Sequence, residues 1–256
     1  MSIVEVHRKV DNNIGDYYSN PSRYFDFENI KSQELMHNST DLAAQNLIVG
    51  GGGLIHKKFQ LHIQNLLDKN PQNSVLWGIG HNFGKKHIEK SKNKVIFPDW
   101  LERCDLVGIR DFVKEKEELY LPCVSCMHKA FDKEYQILND VGYFLHAFKT
   151  KLTNTHNKSV FYNNSLDFEK AIEFIGSHET IITDSYHGAY WAMLLNKQVQ
   201  VVSWSVKFNY FKNPPLFLDN INQKPLSQTH FVQRNYLQEC RDLNKNFYHK
   251  VLDLFS

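Results

Sequence analysis

Short apolar runs alternate along the chain with stretches of helical period. Ile3–His7, Asn46–Val49, 74–79, 94–97 and Leu106–Ile109 read as strands of a first half. Between them, 57–68 carries Phe59, Ile63, Leu66 and Leu67 at i, i+4, i+7 and i+8, one buried helical stripe. The grammar repeats after a break at Leu121-Pro122. Strands are predicted at 140–148, Ser159–Tyr162, 180–183 and 199–203. Ser165 is placed to cap a helix with the stripe Phe168, Ala171, Ile172 and Ile175, and a second helix runs from 184–188 to about Leu195. A final helix over 232–254 puts Tyr236, Cys240, Leu243, Phe247, Val251 and Leu254 on one face and is expected to pack back on the body. Pro214-Pro215 marks a loop before it. The pattern predicts an α/β chain with mostly parallel sheets, divided into halves 1–122 and 123–256 that face a cleft.

Composition narrows the function classes. The 256 residues include 30 Lys plus Arg against 28 Asp plus Glu, a net charge of +2. No global field exists to hold a nucleic acid, so an anionic ligand needs a local site. No apolar run approaches the ~20 residues needed to span a bilayer. The N-terminal residues read as a strand rather than a signal-peptide core, and the expected compartment is the cytoplasm, free or at the inner face of the membrane. Of the four cysteines, Cys123 and Cys126 form a single C-x-x-C with His128 close behind. A structural zinc site commonly uses two such pairs, so these are read as small buried thiols and no metal is assigned.

The chemistry-bearing candidates sit where strands end. Asp184-Ser185-Tyr186-His187-Gly188 leaves a strand and opens a helix, whose free N–H groups attract anions, with the Ser185 hydroxyl beside them. The helix dipole disfavours a charged His187 until an anion arrives. The same residues also suit an ordinary N-cap and a packed histidine. Gly50-Gly51-Gly52-Gly53 follows an apolar strand, letting the backbone at Gly51 and Gly52 approach a ligand or simply supplying a turn. Asp16, in Asn13-Ile14-Gly15-Asp16, can take a hydroxyl proton or bond its own turn. Arg110-Asp111 ends another strand, where Arg110 can grip a carboxylate or phosphate or pair internally. His81 and Asn82 follow Gly78-Ile79-Gly80, and Lys207 begins Lys207-Phe208-Asn209-Tyr210; both segments are candidates for the cleft wall.

These segments, in this order over about residues 11–205, resemble the polysaccharide pyruvyl transferase family. The resemblance implies two Rossmann-like halves like those of two-domain inverting glycosyltransferases, the second one shortened. It implies transfer of a pyruvyl group from phosphoenolpyruvate to sugar hydroxyls of a glycan acceptor, free or lipid-linked, giving a ketal. No cofactor is called for. His187 would act as the acid and Asp16 or His81 as the base. Arg110, Ser185, Gly51, Gly52 and Lys207 would hold the donor, and His81, Asn82 and Tyr186 the acceptor. In many members the last motif reads Ser-Arg-Leu-His-Gly and its Arg is taken to hold the donor. Here Tyr186 stands at that position, as Phe does in others, so Arg110 or Lys207 must supply the missing charge. The alternatives are a glycosyltransferase with a nucleotide sugar in the same cleft and a glycan-binding protein without turnover.

Overall fold

The computed structural model describes residues 2–37, 42, 45–84, 97–149, 152–153, 155–227 and 235–256. The first sheet contains β1 (Ile3–His7), β2 (Ile30–Glu34), β3 (Asn46–Val49), β4 (Gly52–Ile55), β5 (Asn73–His81) and β6 (Leu106–Ile109), with every pair parallel. Its order is β2-β1-β3-β5, with β4 and β6 also on β5. β3 and β4 share one register against β5: Val49 pairs with Leu76 and Gly52 with Ile79. They are therefore one strand line interrupted at Gly50-Gly51. The glycine run does not lead straight from strand to helix, as the sequence pattern predicts. Helix α1 (Ile14–Tyr17) follows β1, and α2 (Lys57–Leu67) follows β4 with Ile63, Leu66 and Leu67 buried. Of the strand expected at 94–97, residues 94–96 lie outside the described residues.

The second sheet is also parallel, in the order β11-β10-β9-β7-β8. It comprises β7 (Asn139–Leu145), β8 (Ser159–Tyr162), β9 (His178–Thr183), β10 (Gln198–Val201) and β11 (Leu216–Phe217). β7 stops at Leu145, short of the predicted end. The Asp184 carboxylate takes the His146 amide, and His146 Nδ1 takes that of Phe148, turning the chain. Helix α3 (Phe168–Gly176) is capped by Asp167, which accepts from the Lys170 amide at 3.0 Å, instead of by Ser165. The Ser165 hydroxyl accepts from the Asp167 amide one turn earlier. Helix α4 (Tyr186–Leu194) is buried along its whole length, the arrangement expected of a helix that is apolar all round.

Helix α5 (Tyr236–Phe255) spans both cores. Tyr236 and Cys240 join the cluster around α3 and α4, while Phe247, Val251 and Phe255 pack with Ile3, Ile48, Val75 and Trp77 of the first sheet. Its buried face includes Asn244 and Phe255, with Leu243 and Leu254 only at the margin. Asn244 is there because the buried Trp77 indole needs an acceptor: Nε1–H donates to Asn244 Oδ1 at 2.9 Å, and the Asn244 amide donates to the Pro122 carbonyl. No helix among the described residues is long and apolar enough to cross a membrane.

Candidate functional site

The carboxyl ends of strands from both sheets converge on a cleft. The first sheet contributes Asn13 and Asp16 beyond β1, Asn82 beyond β5 and Arg110 beyond β6. The second contributes His146 and Asn163 beyond β7 and β8, Ser185, Tyr186 and His187 beyond β9, and Trp204 and Lys207 beyond β10. Open parallel sheets place ligands at this end of their strands.

Arg110 is 3% exposed, and its Nε and Nη1 are buried without a hydrogen-bond partner among the described residues. Its guanidinium carbon lies 3.9 Å from the Tyr186 ring centroid. Tyr186 in turn stacks on Phe211 at 4.6 Å and 12°. Tyr186 is therefore a platform that sets the height of a cation arriving from the other sheet. Lys207 Nζ lies 4.0 Å from the Trp204 ring centroid and 3.4 Å from Asn82 Oδ1. Burial, reinforced by Arg110, pushes its pKa down to about 7, against the pull of Asp16 and Asp184.

Asp16 accepts from the Asn13 amide at 2.9 Å, and Asn13 Oδ1 accepts from Asn163 Nδ2 across the cleft. Burial raises the Asp16 pKa despite Arg110, Lys207 and Arg8, which makes its carboxylate a stronger proton acceptor than an ordinary aspartate. His187 lies against Gly15: a Cβ built there would stand 1.9 Å from Nδ1, so only glycine leaves the ring its place. Burial first, then Arg110 and Lys207, hold the imidazole pKa well below its usual value.

Three expected site residues lie elsewhere. Gly51 faces protein: a Cβ built on it would stand 2.9 Å from the Ser19 carbonyl oxygen and 3.2 Å from that of Gly78. Gly52, at φ +113°, makes room for the Asp16 carboxylate; Gly53 is the glycine on the cleft wall. His81 is buried, with its amide and Nδ1 both 2.6 Å from Asp111 Oδ2, and does not line the cleft. Ser185 is on the wall, but its amide donates to Thr183 Oγ1 and its hydroxyl caps Gly188. Of the helix N-terminus, that leaves the first-turn amides of Tyr186 and His187 for an anion.

Sequence reasoning missed Arg8, His146, Asn163 and Trp204. Each stands within a few residues of a strand's carboxyl end, the same signal that picks out Arg110. Arg8 is held by Glu34, Nε to Oε1 2.9 Å, and lies over Phe59. His146 is pushed down to about 4 by burial, with Lys207 and Lys149 adding to it.

These histidines predict acid sensitivity. His187, His146, His7 and His128 all have lowered pKa values, chiefly from burial. An unfolded chain takes up their protons below about pH 6.5 while the folded one resists, so stability falls as pH drops through that value. Asp16, with its raised pKa, opposes this but is one group against four. Thermal melts should show Tm declining well above the carboxylate range; a flat Tm down to about pH 5 would contradict the burial of these rings in neutral form.

No family model matches the chain, and no curated protein matches it. Among solved structures, an uncharacterized protein from Klebsiella pneumoniae aligns over 85% of this chain and 92% of its own, at 16% identity and a TM-score of 0.49.

Proposed function

We propose that the chain is a transferase that moves a pyruvyl group from phosphoenolpyruvate to sugar hydroxyls of a glycan or its precursor, with two Rossmann-like halves meeting near Pro122 around the cleft. The observation that carries this reading is the buried Arg110 guanidinium, with two nitrogens unpartnered among the described residues, lining the same cleft as Lys207. Buried donors without acceptors are costly and call for an anionic partner. A small donor bearing a carboxylate and a phosphate answers that need, and Arg110 and Lys207 supply the charge that Tyr186 does not.

His187 is neutral in the free protein. The donor's negative charge offsets Arg110 and Lys207, two of the causes that suppress its protonation. The charged imidazole then gives a proton to the donor's methylene carbon, leaving an oxocarbenium-like centre at C2. One sugar hydroxyl adds to C2 and passes its proton to Asp16. The C2–O bond to phosphate breaks, and a second hydroxyl closes the ketal. The two hydroxyl protons restore His187 and neutralise the departing phosphate. The reading implies a cytoplasmic site of action, where this donor is made.

A nucleotide-sugar donor would need the glycine turn to face a diphosphate. The carbonyl oxygens of Ser19 and Gly78 beside Gly51 repel phosphate there, and this weighs against that reading. The test is direct: phosphate release from phosphoenolpyruvate in the presence of a panel of sugar and lipid-linked acceptors, with the ketal identified by mass. Nucleotide release from activated sugars would instead favour the glycosyltransferase, and glycan binding without turnover a non-catalytic role.

The Lys207 amine gives a further prediction. Its charge is lost as pH rises through about 7, so the donor KM should climb on the alkaline side. Lys207→Arg keeps its charge at all working pH values, and its KM profile should be flat there. An alkaline limb unchanged in Lys207→Arg would remove this amine from donor binding.

A further inference from the structure

Behind His187 runs a chain of buried polar groups that the transfer reaction does not use. Trp191 Nε1 donates to Ser125 Oγ at 3.0 Å, Ser125 Oγ lies 3.3 Å from Cys123 Sγ, and Cys123 Sγ lies 3.6 Å from His187 Nε2. Chemistry sets the direction of this chain. An indole N–H can only donate, so the Ser125 oxygen must accept and keeps its own hydrogen for the next group. The next group is the Cys123 sulfur, which accepts that hydrogen. The thiol's own buried hydrogen then has His187 Nε2 as its acceptor. The opposite order would leave the buried Ser125 hydroxyl hydrogen with no acceptor among the described residues, a cost that folded proteins rarely carry.

We propose that Cys123 is a positioning residue: its S–H, aligned by Ser125 and Trp191, donates to Nε2 of His187 and thereby places the proton of the neutral imidazole on Nδ1. Nε2 is taken up by the thiol, so Nδ1, the nitrogen over Gly15, is the one outside the Cys123 chain in a ring that lines the cleft. The tautomer is set by the other ring nitrogen's partner, as in other histidine sites. When the ring charges, the added proton enters at Nε2. The sulfur must then accept from Nε2–H, which leaves one buried hydrogen of the chain without an acceptor and further disfavours the charged ring. The kinetic consequence rests on the pyruvyl-transfer reading; the tautomer does not.

The test uses the full chain, labelled with nitrogen-15 histidine, without substrate and near neutral pH. Long-range nitrogen–proton correlation should show His187 Nδ1 as the protonated nitrogen and Nε2 as the bare one. Cys123→Ala removes the donor, and the pattern should shift toward a tautomer mixture. Cys123→Ser retains an O–H donor and should restore it; near-ultraviolet circular dichroism confirms that both variants fold. In turnover, Cys123→Ala should lower kcat by roughly 10–100-fold, the usual cost when a histidine loses the group that orients it, with donor KM little changed. Cys123→Ser should recover most of that loss. A wild-type spectrum with the proton on Nε2, or a pattern identical in Cys123→Ala, overturns the proposal. The predicted spectrum without turnover of phosphoenolpyruvate by any form sustains the tautomer and defeats only the transfer reading.

Discussion

Arg110→Met is expected to weaken donor binding sharply while leaving the fold about as stable as before. Arg110 is 3% exposed and two of its guanidinium nitrogens have no acceptor among the described residues. Leaving such groups unsatisfied costs on the order of 1–3 kcal/mol, and methionine removes that cost. The stacking on Tyr186 that is lost contributes about 0.5–2 kcal/mol in the other direction. The two nearly cancel, so Tm should move little. The donor has no such compensation. Losing one half of a buried charge pair costs about 2–5 kcal/mol, a donor Kd weakened roughly 30- to 5,000-fold. Calorimetric titration with phosphoenolpyruvate and a thermal melt of the same sample decide the matter. An arginine held for internal pairing would behave in the opposite way. Its removal would strip a partner from a buried charge at about 3–5 kcal/mol, lower Tm by roughly 6–20 °C, and leave donor affinity alone.

His187→Gln should separate chemistry from binding. Glutamine keeps a polar head that the Cys123 thiol can meet but cannot deliver a proton at neutral pH. Removing a general acid typically costs ~10²–10⁴ in rate. We therefore expect kcat for phosphate release to fall by that order, with donor Kd within a few-fold of wild type because Arg110 and Lys207 remain. Single-turnover kinetics at saturating donor, beside equilibrium binding, is the measurement. Full turnover in the variant would make His187 a packing residue that happens to line the cleft.

Much of the fold was legible in the chain itself. The stripe of α2 and the apolar strands Ile3–His7, Asn46–Val49 and Leu106–Ile109 stand where their periodicity puts them. α4 offered no stripe to read because all of its residues are buried, and an apolar surface without a polar side carries no phase. Strand β2, Ile30–Glu34, escaped notice because an edge strand, here half-exposed, does not need the apolar pattern of an inner one. The glycine run marked the right neighbourhood and the wrong atoms. A glycine required for close approach looks the same whether a ligand, a carboxylate or a carbonyl approaches it, and Gly51 and Gly52 serve Ser19 and Asp16. His81 and Arg110 occupy equivalent strand ends, yet His81 turns to Asp111 and Arg110 to Tyr186 and the cleft.

Alternating periods of strand and helix, written in one dimension, were enough to establish two parallel sheets and the strand ends where polar residues gather, because secondary structure and burial follow from neighbours a few positions away. Which of those polar residues meet, and in what charge state, depended on folding. Arg110 finds Tyr186, and Cys123 finds His187, across long stretches of chain, and the pKa of Lys207 or Asp16 is a property of the space that closes around it. Solvent exclusion and Coulomb interactions act through distance in space, which the order of residues does not record.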